Sequence, residues 1–230
     1  MPFERLFKVM TKPWVMLLYA FLVVVCYRYV DKPVAHFLWL AHLSRQFPPL
    51  VWFTHAGLGA VYLTLFFMAG VFFRYVVINP VWQIRAWFML ANTLFASSIC
   101  GALKVLLGRA RPKMWLNENL YGFYGWQFDA HFMSFPSGHT TTIMSVALAL
   151  SILFPRHWLA FILTGLMVAF SRILLVHHYI SDVLVASYLT LLEVGFVYYV
   201  FRKKSWLSPA LQDNNDKLER SMRQFGVKNG

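Results

Sequence analysis

The feature that most constrains this chain is a succession of apolar runs long enough for a lipid bilayer. Crossing the hydrocarbon core takes about 20 apolar residues in a helix, because each residue adds only about 1.5 Å. Six stretches reach or approach that length: Pro13–Val30, Val51–Phe73, Ala86–Leu107, Ser137–Phe154, His157–Val176 and Tyr179–Phe201. Lipid offers the backbone no hydrogen-bond partner, so runs of this kind fold as helices. The expectation is an all-α, polytopic membrane protein, a bundle of six transmembrane helices. The second run carries no charge. Lys104 sits near the end of the third, Arg172 in the last turns of the fifth and Asp182 at the start of the sixth. Polar groups in membrane helices are costly and face a bundle interior or a wet cavity. Their gathering at matching helix ends predicts one shared polar pocket at one membrane face.

Composition narrows the class. Of the 230 residues, 59% are hydrophobic and 13% charged, far from the balance of a soluble domain. The net charge of +12 would suggest nucleic acid in a soluble protein. Here the basic residues fall between apolar runs and at the chain ends, where membrane topology and anionic headgroups account for them, so no nucleic-acid partner is expected. Cys26 and Cys100 both lie in apolar runs and make neither a disulfide framework nor a zinc-ligand spacing. Arg5, Lys8 and Lys12 precede the first run as in a signal peptide, but no small-x-small cleavage pattern follows, and the run reads as an uncleaved span.

With the N-terminus inside, 13 of the 21 Lys and Arg fall on the inner side and 8 on the outer, and three of those eight belong to motifs described next. The positive-inside rule then puts both termini in the cytoplasm and the polar pocket on the outer face. The short loops suit a bacterial inner membrane. One membrane domain over residues 1–204 is expected, followed by a polar, basic cytoplasmic tail over 205–230. Pro33–Phe47 is too short to span and reads equally as an interfacial helix or a plain connector.

Three separated stretches bring phosphate chemistry to the pocket. Lys104 and Arg111 lie seven residues apart, followed by Pro112. Arg gives a planar fork for phosphate oxygens and Lys a point charge, although alone such cations read as residues snorkelling to headgroups. Pro136-Ser137-Gly138-His139 opens the fourth run. Ser137 fits an N-cap, Gly138 lets an anion approach the free N–H groups, and His139 falls in the first turn; alone, this is an ordinary helix start. Ser171-Arg172 is followed after five residues by His178 and after three more by Asp182. His178 and Asp182, four apart, share a helix face if that turn is helical, so the carboxylate can hold one ring nitrogen and leave the other as nucleophile or base. His177 lacks that spacing.

Written as K-x6-RP, PSGH and SR-x5-H-x3-D, the constellation spans Lys104 to Asp182 and resembles the type 2 phosphatidic acid phosphatase superfamily. With its apolar runs the chain is similar to the membrane lipid phosphatases of that group. The resemblance implies that His178 is the nucleophile that forms a phosphohistidine, with Asp182 as its orienting partner. It implies that His139 protonates the leaving oxygen and then activates water. Lys104, Arg111 and Arg172 would hold the phosphoryl oxygens, with Ser137 and Gly138 assisting. It further implies a hydrolase of lipid phosphate monoesters or diphosphates that needs no metal and no cofactor. Candidate substrates are phosphatidic acid, phosphatidylglycerophosphate, undecaprenyl diphosphate and lipid A. The partners implied are the phosphorylated lipid and membrane lipids, with no obligate protein. A lipid phosphotransferase using the same intermediate, or a non-catalytic transport or scaffold bundle, are the alternatives. Two histidines in opposite protonation states predict a bell-shaped pH profile.

Some residues stand outside the motifs. Arg109 and Lys113 flank Arg111 and read equally as contacts to a second phosphate or as interfacial cations. The aromatics between Lys113 and Phe135 suit a membrane interface, or a lid over the substrate. Glu193, midway along the last run, is expected to make a structural hydrogen bond, and His131 to be interfacial.

Overall fold

The computed structural model describes residues 1–208 and Ala210, and structural statements here concern those residues. They form eleven α-helices: α1 Pro2–Met10, α2 Pro13–Val25, α3 Asp31–Leu40, α4 Leu43–Gln46, α5 Pro48–Thr54, α6 Gly59–Tyr75, α7 Pro80–Leu107, α8 Pro112–Glu118, α9 Gly138–Leu153, α10 Trp158–Leu174 and α11 Ile180–Lys203. No strand occurs among them. The one β-like pairing is an isolated bridge between Arg109 and Phe123.

Local chemistry sets the longest helix. The Asn79 side chain accepts from the N–H groups of Val81 and Trp82, Pro80 occupies the first turn, and Gly108 ends α7 with a φ of 55°. These are the start and stop signals of a well-bounded helix. The core centres on α9, of whose 16 residues 13 are buried. It packs against α7, α10 and α11. Elsewhere the apolar side chains face outward: Leu17, Phe21, Leu65 and Met167 are more than half exposed. In water such a surface would aggregate; in lipid it is the solvated face.

The chain is a multi-pass membrane protein. Four helices are long and apolar enough to cross, and a fifth is counted if the bent pair Pro48–Gly57 and Gly59–Tyr75 is one span. That pair breaks at Leu58 with a 48° bend. Gly57 lies so close to His139 that a Cβ there would come within 2.8 Å of the His139 Cβ. The remaining candidate, α9, is a shorter apolar helix enclosed by its neighbours.

The first span is longer than expected. α2 runs through a π-turn at Cys26–Val30 straight into α3, making one 28-residue helix, Pro13–Leu40. The charges beyond Val30 have partners in place: Asp31 pairs with Arg109, and the Lys32 ammonium sits 4.4 Å from the Tyr121 ring centre. Pro33–Phe47 is therefore neither an interfacial helix nor a connector in its first half.

At the end of α11 away from Asp182, α1 is held by Tyr198, which donates to Glu4 at 2.9 Å, and by the Arg202–Glu4 ion pair. The expected polar tail begins differently as well. Leu207 and Ala210 are fully buried in the core cluster after a left-handed turn at Ser205, and the Ala210 carbonyl accepts from Arg85 at 3.2 Å. The rest of the tail lies outside the described residues.

Candidate active site

The turn between α10 and α11 is built by the end of α10. The N–H of Val176 bonds to the Ile173 carbonyl at 2.9 Å and that of His177 to the Arg172 carbonyl at 3.1 Å. This pair of bonds is a Schellman closure, which needs a left-handed residue, usually glycine. Here Val176 fills it at φ 55°, a costly conformation for a β-branched side chain. The His178 N–H also reaches the Arg172 carbonyl, at 3.3 Å, so one strained turn aims both histidines.

His178 is buried, at 4% exposure. Its Nδ1 lies 2.7 Å from the Ser134 carbonyl and 3.7 Å from Asp182 Oδ2. A carbonyl only accepts, so Nδ1 carries the proton and Nε2 keeps its lone pair. Burial holds the imidazole well below its ordinary pKa, and Lys104, Arg111 and Arg172 push the same way. The ring is thus neutral and nucleophilic at neutral pH. Sequence expects Asp182 as the orienting partner; the structure gives the Nδ1 hydrogen bond to the Ser134 carbonyl, with the Asp182 carboxylate farther away at 3.7 Å. Asp182 acts one step back: its carboxylate accepts from the Ser134 hydroxyl at 2.6 Å and from the Tyr179 N–H at 2.9 Å. It therefore fixes both the residue that holds His178 and the first turn of α11.

Beneath lies a buried charge cluster that local sequence did not reveal. Arg109 has no exposed surface and pairs with Asp182 and, at 2.8 Å, with Asp31. Ser181 links the group: its hydroxyl accepts from Arg109 at 2.7 Å and donates to Asp31. The rings of Tyr27, Tyr121, Phe123 and Tyr179 surround the guanidinium, with centres 4.5–5.6 Å from its carbon. Burial opposes the charge, but the carboxylates, Asp182 first, outweigh it and raise the Arg109 pKa. Arg109 is thus committed to protein carboxylates rather than to a second phosphate, and part of the aromatic loop is its cage.

The second stretch behaves as its spelling predicts in position, less so in detail. Ser137 precedes α9 as its N-cap, yet its hydroxyl caps no backbone N–H and instead accepts from Thr140 at 3.0 Å. Gly138 packs under Lys104, where a Cβ would sit 3.4 Å from Cε. Lys104, Gly138 and His139 line a cavity of about 240 Å³ with Gly57, Gly59 and Thr142.

The three cations keep donors in reserve. Lys104 gives one bond to the Met133 carbonyl at 2.7 Å, Arg111 one from Nε to the Ala130 carbonyl at 2.8 Å, and Arg172 one to Thr54 Oγ1 at 2.8 Å. Among the described residues none of the three pairs with a carboxylate. Thr54, like Asp31 and Ser134, was missed from sequence; its partner is 118 positions away and no motif marks it. Glu193 is buried without a hydrogen-bond partner for either carboxylate oxygen among the described residues, so the structural bond expected of it is not seen. His131 pairs with Asp129 on the exposed loop.

Parts of the sequence are similar to known proteins. Two lipid A 1-phosphatases, from Rhizobium etli and Rhizobium johnstonii, are 34% and 33% identical over 97 residues. Those matches cover 42% of this chain and 42% and 40% of the relatives, so the chain aligns with less than half the length of either. A crystal structure of a transmembrane PAP2 type phosphatidylglycerolphosphate phosphatase from Bacillus subtilis aligns with 87% of this chain and 92% of its own, at 18% identity and a TM-score of 0.49. Residues 85–206 match the PAP2 superfamily, a stretch that contains every motif residue and more than half of the 230 positions, and the chain belongs to that superfamily.

Proposed function

We propose that the chain is a metal-independent membrane lipid phosphatase that passes the phosphoryl group first to His178 and then to water. One observation carries this reading: His178 is held neutral, with Nδ1 committed to the Ser134 carbonyl, in the field of three cations that have no protein carboxylate of their own. In the first step the Nε2 lone pair attacks phosphorus and the bond to the lipid oxygen breaks. That oxygen takes the proton of His139. In the second step water attacks the phosphohistidine, gives its proton to His139, and the P–N bond breaks to release inorganic phosphate. Lys104, Arg111 and Arg172, with the α9 start at Ser137 and Gly138, neutralise the charge on the equatorial oxygens. That is the main demand of phosphoryl transfer, elsewhere met with magnesium. Asp182 holds the frame in which Ser134 orients His178.

The curated relatives support lipid A bearing a 1-phosphate as the first substrate to try. Positive-inside counting supports an outer-face site in a bacterial inner membrane with cytoplasmic termini. The docking of α1 on the far end of α11 agrees with that orientation. The test is phosphate release by the detergent-purified full chain in excess chelator, from lipid A, undecaprenyl diphosphate, phosphatidylglycerophosphate and phosphatidic acid. Release that survives chelator, leaves acid-labile phosphate on the protein and vanishes in His178→Ala is expected. Release from none of the four, or release indifferent to that substitution, overturns the reading.

A further inference from the structure

A second chamber, of about 370 Å³, is lined by His177. Trp39, His42 and Arg45 line it from the α3–α4 side, together with Lys113. Arg45 and Lys113, both solvent-exposed, bring two cations and His42 and His177 two imidazoles to a lining that is otherwise apolar and holds no carboxylate. Among the described residues neither Arg45 nor Lys113 has an ion-pair partner, and His177 Nδ1 is buried without a hydrogen bond. Burial, followed by Arg172 and Lys113, lowers the His177 pKa to about 3, so this ring serves as a neutral hydrogen-bond partner beside fixed cations.

Two short segments therefore each serve two places. Arg111 acts on His178, while Lys113, two residues on, lines the second chamber. His178 carries the reaction, while His177 lines that same chamber. Two cations without ion-pair partners at one chamber gain from an anion that enters. The chamber also adjoins an apolar groove of about 450 Å³, formed by Phe47, Leu50, Phe53, Met167 and Phe170, with Leu174 lining both. A lipid with a chain along that groove brings its headgroup to the cations.

We infer that this chamber binds a second anionic group of the lipid substrate, a phosphate or carboxylate on the headgroup other than the phosphate that is cleaved. The inference rests on the phosphatase reading and narrows it. The preferred substrate class is a lipid whose headgroup carries at least two anionic groups, with Arg45 and Lys113 as the specificity residues and His177 as a donor or acceptor to the second group.

The experiment uses the full chain in neutral detergent and two lipids that differ only in one phosphate, a bisphosphorylated and a monophosphorylated form of the same disaccharide lipid. For Lys113→Gln and for Arg45→Gln/Lys113→Gln, KM for the bisphosphorylated lipid is expected to rise, by about tenfold or more in the double variant, with kcat nearly unchanged. The monophosphorylated lipid should respond to neither change. Equal losses on both lipids, or no loss on either, overturn the inference. So does competitive inhibition by added phosphatidylglycerol that disappears in the double variant, which assigns the chamber to a bystander headgroup. Binding of both lipids to His178→Ala separates this idea from the reading it rests on. Tighter binding of the bisphosphorylated lipid that depends on Arg45 and Lys113, with no turnover by the parent protein, upholds the chamber and sinks the phosphatase. Equal binding sinks the chamber whatever the turnover. Melting curves confirm that the variants fold.

Discussion

Arg109 and Arg111 stand two residues apart in one loop and face opposite tasks. Arg109 is fully buried, paired with two carboxylates and caged by four rings. Arg111 gives one bond to a carbonyl and keeps the rest of its fork free. The same division separates two regions of the molecule. In the frame, Arg109 pairs with both Asp31 and Asp182 and Ser181 bridges them, with Nε of the guanidinium left without a hydrogen bond among the described residues. In the proposed reactive cluster of Lys104, Arg111, Arg172, His139 and His178, none of the three cations meets a carboxylate among the described residues. A network that holds opposite charges together resists movement, whereas a group of like charges gains from an anion that enters it. Two arginines separated by one residue thus have different partners, protein carboxylates for Arg109 and a backbone carbonyl for Arg111.

The comparison breaks most visibly at His178. His178→Ala should lower phosphate release by on the order of 10⁴-fold or more while the melting temperature stays close to that of the parent. Arg109→Met should act the other way, costing about 3–5 kcal/mol of stability because it strands two buried carboxylates; unfolding in mixed detergent measures it. A variant as stable as the parent would show that the frame is not a frame. Arg111→Ala should reduce kcat/KM by about 10²–10³-fold with an unchanged melting curve, and a loss of stability there would erase the distinction between the two arginines. Thr54→Val takes one acceptor from Arg172, and a loss of about fivefold in kcat/KM corresponds to one hydrogen bond of about 1 kcal/mol.

A further test is stability against pH. His177, lowered to about 3 in the fold, stays neutral while the unfolded chain takes up a proton below its ordinary value near 6.5. Stability should therefore fall as pH drops from 6.5 toward 3, and be indifferent to this group above 6.5. His177→Gln should flatten that slope in melts at pH 7, 5 and 4.

The proposed reactive cluster is legible in the sequence because its members sit at fixed short spacings: Lys104 to Arg111, Ser137 to His139, Arg172 to His178 to Asp182. The frame is not. Asp31 pairs with Arg109 across 78 positions and with Ser181 across 150, and no periodicity encodes such pairs. Read locally, Asp31 between Arg28 and Lys32 looks like the end of a helix. Only the distant Arg109 makes it affordable inside one. Apolar length located the helices but not their breaks. The bend at Leu58 lies beside Gly57, which passes so close to His139 in another run that a Cβ would not fit. Val176 shows the same limit at the scale of one residue, since nothing in Leu175-Val176-His177 announces a left-handed turn.

The pairing of Asp31 with Arg109 also imposes a sequence of events on the ribosome. At about 5–20 residues per second, the 78 positions between them take about 4–16 s to synthesise. Throughout that interval the nascent first helix carries a carboxylate whose counter-charge does not yet exist. Asp182, the other member, emerges a further 73 positions after Arg109. The first long helix to be made is thus among the last to be fixed in place.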